Sequence, residues 1–177
     1  LGMILAVTVT FFSADILFDG FSFASIICVL AIGGSIGAII AYRISMTAIP
    51  QLVASFHSLV GLAAVLVALS AFYKPEAFGL GTFNNIKIAS LVEMSIGASI
   101  GAITFTGSVI AFLKLQGIMS GSPITFKGQH FINLLIGIGI ISLIIYITIN
   151  QSDHIFWLLI ISSFLLGILL ITPIGGA

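Results

Sequence analysis

The chain has 177 residues, 60% of them hydrophobic and only 6% charged, and its formal net charge is +0. Its mean hydropathy is +1.35, whereas a soluble domain carries about 25% charged residues, so the composition excludes a water-soluble globule and describes an integral membrane protein. No basic run is present to attract nucleic acid, and the single cysteine, Cys28, can close no internal disulfide and reads as a small core residue.

Hydropathy and turn residues predict an all-α fold, a polytopic membrane helix bundle of about six transmembrane helices, read as one domain over residues 1–177. Residues 1–12 are apolar and run into a polar turn, SADILFDG, with Asp15 and Asp19. The first residues lack the charged start of a signal peptide. The chain begins inside an apolar run without an initiator Met and stops at Gly175-Gly176-Ala177, which predicts that it is a piece of something larger. The second span, residues 23–42, carries Gly33 and Gly37 at G-x-x-x-G spacing, which lets a neighbouring helix approach closely.

The third span, residues 49–72, is expected to start at Pro50 with Thr47 as its N-cap. His57 lies seven residues past Pro50, roughly 10 Å in from the helix end. A titratable ring at that depth needs a partner or water and marks a function more often than it does in a soluble core. A simple interhelical hydrogen bond is the bland alternative. Pro50, Ala54, His57, Gly61, Ala64 and Ala68 form a stripe of mostly small residues around it.

Residues 73–85 read as a loop, and residues 86–115 as a fourth span that is wet at Lys87 and Lys114. Along it Glu93, Gly97, Gly101, Thr104 and Ser108 fall on one stripe less than about 90° wide. Such a stripe is expected to face other helices or a water-lined cavity. Ser108 lies fifteen residues beyond Glu93, about 22 Å along the helix axis, which brings it near the depth of His57 in an antiparallel pair. A carboxylate near one face and an imidazole toward the other suit proton transfer, because histidine changes charge near neutral pH. The competing reading of Glu93 is a side chain that snorkels to the interface.

A second loop, residues 116–129, leads to the fifth span, residues 130–149, and a tight polar turn leads to the sixth, residues 155–172. Asn133 is expected to hydrogen-bond between helices, and His130 and His154 to be solvated. No metal spacing, P-loop or dinucleotide fingerprint is present. With six spans both ends share a side with Arg43, Lys114 and Lys127, while Lys74 and Lys87 fall opposite with Asp15, Asp19, Glu76 and Asp153. The positive-inside rule then puts the first side in the cytoplasm or matrix.

The segments MTAIPQLVASFHSLVGLAAV and GAITFTGSVIAFLKLQG closely resemble the membrane domain of proton-translocating NAD(P) transhydrogenases, in the beta subunit or its single-chain equivalent. The closing IGGA resembles the start of that family's IGGAD-type loop. The resemblance implies that peripheral domains exchange hydride between NAD(H) and NADP(H) while the membrane domain moves protons. It matches His57 to the family's membrane histidine, Ser108 to the serine of its TGSV segment, and Glu93 to the acidic residue at the start of the same helix. Gly61 and Gly107 match small positions where helices close on each other. Neither NAD(H) nor NADP(H) is expected to bind to this chain, which carries no nucleotide fold. The implied partners are further membrane helices, an NADP(H)-binding domain and an alpha subunit with the NAD(H)-binding domain, assembled as a dimer of complexes. The implied location is a bacterial inner membrane, with the mitochondrial inner membrane as the alternative. A channel or secondary-transporter subunit, or an inactive membrane fragment, are the competing functional readings.

Overall fold

The computed structural model describes residues 20–175 together with Gly2, Leu5, Ala6, Thr8 and Val9, without the side chains of residues 20–22. The described residues include five helices long and apolar enough to cross a membrane. These are α1 (Gly20–Arg43), α2 (Ile49–Tyr73), α3 (Ile88–Leu115), α4 (Gln129–Asn150) and α5 (Asp153–Ile171). They are the second to sixth of the expected spans. Most of the first span and the turn with Asp15 and Asp19 lie outside the described residues.

The chain divides into two compact units, Leu1–Met46 and Thr47–Ala177. In the first, α1 carries Gly33 and Gly37 with open space where a Cβ would stand at each. The second unit holds α2 to α5. Its helix α3, with 28 residues, is about 42 Å long and packs against both α2 and α5. The core is built from Val65, Ala68, Phe72, Leu91, Ala98, Ala102, Ile147, Phe156, Leu159 and Ile160. Outward faces of α4 and α5 present Leu134, Ile138, Ile141, Ile145, Leu158, Ile161 and Leu165, an apolar coat suited to lipid.

Small residues decide the helix approach. A Cβ on Gly61 would stand 2.6 Å from Phe105 N and 2.7 Å from Gly101 O, and one on Gly101 would meet Gly61 O at 2.7 Å. Only glycine lets the backbones of α2 and α3 come this close. The seam between α3 and α5 repeats the device at Gly167, whose added Cβ would meet Ile103 O at 2.6 Å, and at Gly107, which faces Ile171 Cγ1 at 2.9 Å. Thr106 Oγ1 lies 2.9 Å from Phe164 O on α5 and 3.1 Å from Ala102 O on its own helix. Its single proton serves either carbonyl.

Thr47 is not the cap of α2: it lies in the 3-10 turn Met46–Ala48, and Ala48 takes the cap position without a side-chain bond. The helix starts at Ile49 with Pro50 in its first turn, where proline's missing N–H costs nothing. The loop expected over residues 73–85 is more ordered than its composition suggests. Strands β1 (Gly81–Thr82) and β2 (Asn85–Ile86) pair antiparallel, with Asn84 turning the chain at φ 64°. Ile86, expected in the helix, therefore belongs to the hairpin. The Gln151 side chain holds this hairpin, accepting from Ile86 N–H at 2.9 Å and donating to Ile86 O at 3.1 Å. Phe72 and Phe156 stack beside it at 4.5 Å, and Trp157 Nε1 donates to Tyr73 OH. Such aromatic girdles suit a membrane–water interface.

At the opposite end side-chain amides cap helix C-termini. Gln51 donates to Leu115 O and accepts from Gln116, and Gln129 donates to Leu169 O. Lys114, expected to be wet, is only 5% exposed. Its side chain turns inward onto carbonyls at the end of α5.

Candidate functional site

His57 sits one turn before Gly61 on α2, at the margin of the glycine seam. The ring is exposed and Nδ1 lies 2.9 Å from Val53 O. A carbonyl only accepts, so Nδ1 carries the hydrogen in this contact, and in the neutral ring Nε2 is left with its lone pair free.

The seam also sets the register across α2 and α3. Gly61 meets residues 101–105, and the helices run antiparallel, so one turn back to His57 corresponds to one turn forward on α3. Gln51 meeting Leu115 O at the helix ends fixes the same register. Ser108 therefore lies at the depth of His57. It is half-buried, and among the described residues its hydroxyl has no hydrogen-bond partner.

The stripe on α3 does not face inward as a whole. The buried sector contains Leu91, Met94, Ser95, Ala98, Ala102 and Ile110. At 100° per residue, Glu93, Gly97, Thr104 and Ser108 centre on the side away from it, and Gly101 at the stripe's edge meets Gly61 across the α2 seam. A Cβ at Gly97 would meet nothing within 4 Å. Glu93 is exposed and, among the described residues, has no ion pair or hydrogen bond. Thus Gly61, Gly101 and Gly107 come together in packed seams, His57 and Ser108 share a level, and Glu93 and Gly97 continue the same open flank toward the hairpin end.

Other polar residues are local. Ser58 bonds Ser55 O, and Ser99 bonds Ser95 O. Among the described residues Asn133 does not make the expected interhelical bond: its Oδ1 is buried without a partner there, as is Ser95 Oγ. His130 is exposed, and His154 is exposed beside Asp153 at 3.8 Å. Among the described residues no group of His, Cys, Asp or Glu could hold a metal.

Membrane-length helices closed by glycine seams, with an imidazole and a hydroxyl at one level, define a polytopic helical membrane protein. Its family follows from comparison: residues 1–177 match the family model of the NAD(P) transhydrogenase beta subunit, and the chain belongs to that family. The NAD(P) transhydrogenase subunit beta of Rhodospirillum rubrum is 50% identical over 176 residues, covering 99% of this chain and 37% of the relative. A protein of the same name from a specified strain of that species gives the same identity and coverage. The chain thus spans a little over a third of the length of these relatives.

Proposed function

We propose that the chain is the proton-handling part of the membrane domain of a proton-translocating NAD(P) transhydrogenase, in a bacterial inner membrane. The observation that carries this reading is the level pairing of His57 and Ser108 beside the Gly61–Gly101 seam, within a chain of the beta-subunit family. His57 Nε2 takes up the proton. Ser108, whose hydroxyl both donates and accepts, hands it on or holds the water that does. Glu93, about 22 Å away along α3, collects protons at the hairpin end.

That flank is polar and small at a depth where lipid is a poor neighbour. Further helices of the longer subunit cover it in the assembled enzyme and close the path. NADP(H) and NAD(H) bind in peripheral domains, that for NAD(H) on an alpha subunit, and two complexes associate as a dimer. Coupling requires that the protonated and neutral states of His57 bind the peripheral domain with different free energy, since a proton with equal affinity for both states would transmit nothing.

The test is NADPH-driven reduction of an NAD analogue by the assembled enzyme in vesicles containing a pH-sensitive dye. With His57→Gln, proton movement is expected to fall at least about tenfold, equivalent to ~1.4 kcal/mol of barrier. Pumping at normal yield in that variant would sink the reading.

A further inference from the structure

Lys114 is a basic side chain in the last turn of α3 that is buried rather than solvated, at 5% exposure. Its Nζ donates to Thr172 O and to Ile174 O, each at 2.6 Å. Among the described residues it has no carboxylate partner, so its whole complement of acceptors is backbone. Those acceptors lie just past the last residue of α5, on its C-cap Thr172 and on Ile174 in the segment that leaves it. A helix C-terminus concentrates partial negative charge and favours a cation, and a lysine at this point supplies donors that orphan carbonyls need. Two neighbours close on the same segment: Ile124 N donates to Thr172 O at 3.3 Å, and Gly175 stands against Pro123, 3.5 Å from an added Cβ to Cγ.

Lys114 lies on the helix that carries Ser108, six residues further on, roughly 9 Å along the axis. Immediately before Ser108, Gly107 packs on Ile171, and one residue on from Ile171, Thr172 O accepts from Lys114. The α3–α5 seam is thus continuous from the level of His57 to the exit of α5. Backbones held this closely move together rather than slide independently.

We propose that Lys114 is a positioning residue that locks the exit segment Thr172–Gly175 to α3, so that a shift of α3 at the His57–Ser108 level is passed to the loops at that end of the bundle. This rests on the reading of His57 as the proton-accepting group, and adds the element that carries its state outward.

The experiment uses the assembled full-length enzyme with Lys114→Met, which keeps length and removes the donors, and Lys114→Arg, which keeps them. Two readouts are taken. Hydrogen exchange at the Thr172 and Ile174 amides, both bonded within the helix end, reports the lock itself. Protons moved per hydride transferred reports its use. Lys114→Met is expected to speed exchange at both amides by about tenfold and to lower the proton-to-hydride ratio by about fivefold. Lys114→Arg is expected to stay near wild type in both. Unchanged exchange in Lys114→Met would overturn the lock. Faster exchange with an unchanged ratio would overturn its role in coupling. If Lys114→Met does not assemble, Lys114→Gln, which can serve one carbonyl, is expected to give intermediate values, and wild-type values there would overturn the proposal. His57→Gln keeps the two ideas separate: if it still pumps, the proton reading fails, while amide exchange continues to judge the lock.

Discussion

Replacing Glu93 by glutamine keeps its size and removes only the charge. Because Glu93 has no partner among the described residues, the change breaks no ion pair or hydrogen bond there. Glu93→Gln is therefore expected to leave stability within about ±0.5 kcal/mol. It should slow proton movement about tenfold, ~1.4 kcal/mol in barrier, and slow the coupled hydride transfer with it. Proton movement at the wild-type rate in Glu93→Gln would remove Glu93 from proton collection. His57 differs in kind, since its Nδ1 contact with Val53 O orients the ring and leaves Nε2 for chemistry. The residue types were legible in the chain, because a histidine or glutamate inside an apolar run is conspicuous. The partner of His57 was not, since an i−4 carbonyl is available to many side chains and only the rotamer decides.

At the scale of helices, glycine spacing identifies candidates for close packing but not which of them pack. Gly97 and Gly101 sit in the same apparent stripe, yet only Gly101 meets α2. Gly101→Leu is expected to cost about 1–3 kcal/mol by overpacking, because the atoms it would strike belong to backbone and a β-carbon. Gly97→Leu in this chain is expected to cost less than about 0.5 kcal/mol. Unfolding midpoints in detergent distinguish them, and equal losses would place Gly97 in a seam. The reason sequence could not choose is angular. A 3.6-residue period defines a stripe, but a small-residue stripe has no polarity of its own, and the core settled on the Ala98–Ala102 side. The same ambiguity hid Lys114, whose position at a helix end reads as solvated until a second helix terminus is placed beside it.

At the scale of the whole molecule, orientation follows from few charges. Lys127 is exposed on the loop between α3 and α4, and Asp153 stands at the opposite end at the start of α5. In a Cys28→Ser background of the assembled enzyme, Lys127→Cys is expected to react with an impermeant maleimide only from the inner side, and Asp153→Cys only from the outer side. Reversed labelling would turn the proposed path around, with Glu93 collecting protons from inside.

Amino-acid order alone determined that the chain is a membrane helix bundle and where most of its spans run. These properties depend on local composition: length of apolar run, turn residues, and the cost of a polar group in hydrocarbon. Tertiary structure alone decided which glycines meet, that His57 and Ser108 share a level through the Gly61–Gly101 contact, and that Lys114 is spent on the carbonyls of Thr172 and Ile174. Each is a contact between residues at least 40 positions apart. Such contacts depend on the rotation and register of one helix against another, which a single helix's periodicity leaves free.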